Sequence, residues 1–188
     1  FKRQFEGTAR EAQALQGDFA AAQGRVYSRF DRKTHVREPS IVAERIDEDW
    51  RIYGYDAGWQ DPRVLLEIGR TGAGQLVVLD EFHATKSHVE DAIEWLESTD
   101  KPRGRIFAEH EPSDVARFKR AGYKVRKAEK ALDPGIADVR RRLQTDSEGR
   151  VGMLVSRKCE HLVREFLGYK TDEVGTSGAK DHCLDALR

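Results

Sequence analysis

Arg51-Ile52-Tyr53-Gly54-Tyr55-Asp56-Ala57-Gly58-Trp59 decides how the rest of this chain is read. It is a short, mostly apolar strand that carries one carboxylate, Asp56, to its C-terminal end, where Gly58 and then Asp61-Pro62 break the ladder and let a ligand approach. Two more strands follow, over 63–69 and 75–82, divided by the turn Thr71-Gly72-Ala73-Gly74. An acid at a strand end is on its own most often a turn residue, so the weight of the reading comes from what lies downstream.

Downstream, strand and helix alternate. Residues 87–98 place Val89, Ile93 and Leu96 at helical spacing with Ser87 as a cap, and 105–108 (RIFA) is a brief buried strand running into Glu109-His110-Glu111-Pro112. A helix over 114–121, a strand over 123–127, a helix over 136–144, a strand over 151–155 and a helix over 158–167 follow, and a glycine-rich loop at 171–179 leads to a closing helix over 181–188. This order predicts an α/β domain whose mixed sheet opens with three antiparallel strands, continues parallel, and is covered by helices on both faces. Upstream, 24–30 reads as a short strand and 32–49 as a charged connection.

The chain has 188 residues, enough for one ordinary domain, with 33 basic and 33 acidic side chains. A neutral total leaves room for a nucleic-acid partner only if bases and acids are segregated, and carboxylates gathered in a cleft are what a divalent cation needs. Cys159 and Cys183 lack the spacing of a zinc motif and the density of a secreted scaffold, so reduced thiols in a cytosol-like compartment are expected. No apolar run reaches membrane-spanning length. The start at Phe1 and the stop at Leu187-Arg188 read as the edges of a piece of a longer polypeptide.

Acidic points recur at element ends: Asp56, Glu109, and the Asp181/Asp185 pair on the closing helix, with His182 three residues before Asp185 on the same face. If the strands ending in Asp56 and Glu109 are neighbours, these acids meet at one edge and the closing helix adds the third. Carboxylates crowded in this way repel unless a cation lies between them, and an oxygen-only set suits Mg2+ or Mn2+ rather than zinc. Two such ions, about 4 Å apart, clamp the attacking and leaving oxygens of an in-line phosphoryl displacement. Glu111 competes with Glu109 for this role, Asp181 reads as an N-cap, and His182 reads as easily as a ligand's neighbour or a surface residue as it does as a ligand. Gly175 to Lys180 lacks the order of a phosphate loop. Lys127, Lys130 and Arg140, with Lys180 beside the acidic helix, are the candidates for contacts to a phosphate backbone, though such runs are as often solvated faces.

Taken in order, YGYDAG (53–58), RIFAEHEPSDVARFKRAGYKV (105–125), LDPGIADVRRRL (132–143), CEHLVREFLGY (159–169) and KDHCLDALR (180–188) resemble the C-terminal nuclease domain of the large terminase subunit of tailed bacteriophages. The resemblance covers 50–188 and implies a ribonuclease H-like fold, with 1–49 as a junction following an absent ATPase domain. No Walker A pattern occurs in the chain.

The resemblance also implies that Asp56, Glu109 and Asp185 carry two Mg2+ or Mn2+ ions, flanked by Asp181 and His182. Where relatives have an aspartate in an Ala-Asp-Ser context, this chain has Glu109, one methylene longer. The implied activity is endonucleolytic cutting of concatemeric viral double-stranded DNA at the start and finish of packaging. The small terminase subunit and the portal are the implied partners, in the bacterial host cytoplasm and transiently at the procapsid. A junction resolvase or ribonuclease of the same fold, and a DNA-docking domain without catalysis, are the competing expectations.

Overall fold

A computed structural model describes residues 24–43, 46–98, 101–109, 111–129 and 131–188. In chain order the elements are α1 (Arg32–His35), β1 (Val36–Arg37), α2 (Pro39–Ala43), β2 (Ile46–Asp56), β3 (Arg63–Thr71), β4 (Leu76–Ala84), α3 (Val89–Ser98), β5 (Arg105–Ala108), α4 (Pro112–Arg120), β6 (Lys124–Lys127), α5 (Leu132–Arg142), β7 (Met153–Ser156), α6 (Glu160–Gly168), a 3-10 turn (Thr171–Glu173) and α7 (His182–Leu187). The strands form one seven-stranded sheet in the order β1-β7-β4-β3-β2-β5-β6. The β2–β3 and β3–β4 pairs are antiparallel and the other four parallel, which is the ribonuclease H-like arrangement anticipated.

Side-chain alternation along the central strands splits the core in two. Val64, Leu66 and Ile68 of β3 point into a cluster with Ile136, Val139, Leu162, Phe166, Cys183 and Leu184 from α5, α6 and α7. Leu65, with Tyr53 and Tyr55 of β2, points the other way into a cluster with Val89, Leu96 and Phe118 from α3 and α4. Under the second face lies a buried polar group: the Arg63 guanidinium pairs with Asp114 and Tyr55, and Tyr55 itself donates to Asp114.

Several local expectations are corrected. Residues 24–30 form a turn rather than a strand, attached by the isolated bridge Arg25↔Lys170, while Val26, Tyr27 and Phe30 enter the core beside Phe166. The connection before β2 is itself structured: Asp31 caps α1 by accepting from Thr34 N at 3.0 Å, and β1 extends the sheet beyond β7. Ser87 does not cap α3; its hydroxyl donates to the Ala84 carbonyl, and Asp91 accepts from His88 N instead. Helix α5 starts four residues earlier than expected because Pro134 is tolerated in a first turn, where its missing N–H has no intrahelical partner to lose. Among the described residues no helix is long and apolar enough to cross a membrane.

Candidate metal centre

Strand β2 lies parallel to β5 with Gly54 opposite Phe107 and Tyr55 opposite Ala108. One step further, Asp56 and Glu109 leave the sheet side by side, on the face opposite Tyr53 and Tyr55. Helix α7 packs on that face over Gly54, where a Cβ would lie 1.8 Å from the Ala186 carbonyl oxygen. Only a residue without a side chain lets the closing helix sit this near the strand. The result is a cleft of about 650 Å3 lined by Asp56, Glu109, Asp181 and Asp185. Glu111 is not among its lining residues; it sits exposed at the start of α4, accepting from Ser113 Oγ at 3.2 Å.

The acids are held differently. Asp56 is 9% exposed and its Oδ2 lies 3.2 Å from His182 Nδ1. That hydrogen bond raises the pKa of His182 against the opposing effect of burial. The other ring nitrogen, Nε2, faces Asp61 Oδ1 at 3.8 Å. His182 is thus bonded directly to the acid that ends β2. Asp181 occupies the N-cap position of α7, yet its side chain accepts no helix amide. Its Oδ2 lies 3.0 Å from Arg188 Nη2, and the same nitrogen also meets Asp185. The N-cap role expected for the Asp181 carboxylate is therefore overturned by a cation seven residues along the chain.

Arg188 had no place among the sequence candidates. Its side chain is 6% exposed, stacks 5.6 Å above the Tyr169 ring and joins both acids of α7. Burial works against its charge, but Asp185 and its other neighbours raise its pKa above the ordinary arginine value. Asp185 is itself raised, first by burial, although Arg188 opposes the shift. The spacing that could have revealed this is Asp181-x6-Arg188 and Asp185-x2-Arg188, which stack on one helical face. Asp80 and Glu81 are structural as expected: Asp80 pairs with Lys101, and Glu81 accepts from the His161 and Leu162 amides at the start of α6.

The basic candidates separate. Lys127 is exposed at the end of β6, next to the cleft-lining Ala128 and Glu129, and Lys180 is exposed beside Asp181. Arg140 instead donates from Nε to the Val26 carbonyl at 2.7 Å and ties α5 to the turn at 24–30. Lys130 lies outside the described residues.

The donor chemistry of the cleft suits a hard divalent cation, since the five acids that line it, Glu129 included, offer oxygen alone. The Asp56, Glu109 and Asp185 carboxylates stand wider apart than a closed cage. Among the described residues, the set of three ligand-bearing side chains whose donor atoms all lie within 4.8 Å of one another is His83, Glu165 and Cys183.

No family model and no curated protein matches the chain. Solved structures do. The large terminase from thermophilic bacteriophage D6E, in complex with ADP, superposes with a TM-score of 0.71 at 23% identity, over 87% of this chain and 43% of that one. The P22 large terminase nuclease domain gives 0.70 at 18% identity, over 87% of this chain and 89% of that one. The large terminase nuclease domain from bacteriophage SPP1 with bound Mn gives 0.62 at 18% identity, over 81% and 91%. This chain spans less than half the length of the D6E protein and nearly the whole of the two isolated domains. It has the fold of a large terminase nuclease domain.

Proposed function

We propose that this chain is a metal-dependent endodeoxyribonuclease that cuts concatemeric viral DNA at the initiation and termination of genome packaging. The observation that carries the proposal is the meeting of Asp56, Glu109 and Asp185, from three separate elements, on one cleft. The Mn in the SPP1 nuclease domain supports a divalent cation, here Mg2+ or Mn2+ in a pair. Held by these three acids, the ions would supply a water activated near neutral pH and charge stabilisation at the leaving oxygen.

The chain's own residues prepare the cleft. His182 holds Asp56 by the Nδ1 contact and fixes which carboxylate oxygen faces the cleft. Arg188 compensates the negative charge of Asp181 and Asp185 and fixes their rotamers. Lys127 and Lys180 lie at the rim, where they attract the phosphate backbone of double-stranded DNA. In the full-length protein the partners are the small terminase subunit and the portal, in the host cytoplasm and at the procapsid.

The test is conversion of supercoiled plasmid to nicked and linear forms with Mn2+, Mg2+ or chelator, using this chain, Asp56→Ala and Asp185→Ala. Metal-dependent cutting that both substitutions abolish is expected. Cutting that survives both would sink the assignment, and strong preference for branched or hybrid substrates would move it to a resolvase or ribonuclease.

A further inference from the structure

Where α7 meets α6 and β4, three donors of different chemistry converge: the His83 imidazole from the end of β4, the Glu165 carboxylate from α6 and the Cys183 thiol from α7. They come from separate elements, and each is held. His83 stacks on His161 with ring centroids 3.8 Å apart and planes 8° from parallel, and His161 is fixed in turn by Glu81 Oε1 at 2.8 Å. Glu165 accepts from Leu184 N at 2.9 Å and from the Cys183 thiol. Cys183 is fully buried.

We propose that His83, Glu165 and Cys183 form a second metal site, selective for Zn2+ and built to seat α7 on α6 and β4. Thiolate, imidazole and carboxylate together make a borderline-soft set that favours zinc over magnesium, unlike the all-oxygen cleft. Donor atoms in a tetrahedral zinc site stand about 3.5 Å apart, so the side chains need close by only about 1 Å. Zn2+ takes the place of the Cys183 thiol proton and of the proton that Glu165 carries below about pH 7, and both leave to solvent. With one thiolate and one carboxylate the loaded centre is neutral, which suits its burial. Access runs past the stacked pair, since the His161 side chain is 40% exposed. The site uses none of the proposed nuclease ligands and does not rest on that function. It shares their helix, however, and would fix where His182 and Asp185 stand.

Co2+ is the probe. The chelator-stripped chain is titrated with Co2+ and the near-ultraviolet absorption followed, because a thiolate ligand gives a charge-transfer band that carboxylates and imidazoles do not. A band that one equivalent of Zn2+ removes, that persists in Asp56→Ala and that is lost in Cys183→Ser is expected. In His83→Ala and Glu165→Gln, with unchanged circular dichroism, Zn2+ affinity should fall by more than about tenfold. Cobalt bound by the unmodified chain without a thiolate band overturns the proposal, whatever the variants do. So does a band that survives Cys183→Ser and disappears in Cys159→Ser. Plasmid cutting in Mg2+ is scored separately, so loss of this site leaves the nuclease assignment standing.

Discussion

Gly54 of β2 lies directly beneath the Ala186 carbonyl of α7, so near that a single added carbon would come within 1.8 Å of the oxygen. The strand ending in Asp56 and the helix carrying Asp185 therefore touch backbone to backbone. Gly54→Ala is expected to lift α7 and cost at least about 3 kcal/mol. Chemical denaturation measures the loss. Nuclease activity should fall much further than the folded fraction, since the same displacement separates the two acids.

Arg188 substitutes for a cation between Asp181 and Asp185. Arg188→Gln should lower metal-free stability by about 2 kcal/mol, less than the ~3–5 kcal/mol of a fully buried broken pair because Asp185 is half exposed. Divalent metal should then restore more stability to the variant than to the parent chain. Melting curves with and without Mn2+ decide it. Equal metal-induced shifts in both proteins would show that Arg188 does not compete with metal.

Glu165 is pushed up to about 7 by burial, against the hydrogen bonds it accepts from α7. The folded state therefore holds this proton more tightly than the unfolded chain. In the metal-free protein the stability it contributes is complete below about pH 4.5 and is lost as pH rises to about 7, a change of about 3 kcal/mol at most. Glu165→Gln keeps an acceptor for Leu184 N and removes the titration. The difference in unfolding free energy between the two proteins should grow over that window, with the variant the more stable at neutral pH. A flat difference would place Glu165 in water.

Asp114 is the acceptor on which Arg63 and Tyr55 both depend beneath β2. Asp114→Asn leaves the Arg63 charge buried without a counter-ion and should cost about 3 kcal/mol. Because Tyr55 precedes Asp56, cutting should weaken too, in step with stability measured by denaturant.

Lys127 and Lys180 should act on DNA and Arg140 on folding. Lys127→Ala with Lys180→Ala is expected to reduce the slope of log binding constant against log salt by about 2, one counterion per lost contact. Arg140→Ala should leave that slope alone and lower the melting temperature, because its Nε holds the Val26 carbonyl.

The parts of this fold legible in the sequence are those in which local pattern and tertiary role agree. The apolar strand before Asp56 and the brief RIFA strand each announce themselves, and their parallel pairing brings Asp56 and Glu109 together as expected. Residues 24–37 are not legible locally because their role is set by distant partners: Phe30 is buried by Phe166, and β1 pairs through two residues of β7. Arg188 was invisible for a related reason. A terminal basic residue looks solvated until the helix it belongs to is folded against Tyr169. Helix position alone makes Asp181 a cap, whereas in the fold a nearby guanidinium outcompetes the amides for its carboxylate.

The arrangement of β1 has a mechanical meaning. It joins the sheet at the edge beyond β7, while Glu109 leaves the sheet between β2 and β6, near the opposite edge. Tension arriving along the chain ahead of residue 24 would first load the Arg25–Lys170 bridge and the buried Val26, Tyr27 and Phe30, and would reach the two-residue β1–β7 pairing only after these. The two anchors stand in series between such a pull and the β2–β5 alignment. A pull from the N-terminal side is therefore felt at Tyr169, the ring beneath Arg188, before it reaches the strands that end in Asp56 and Glu109.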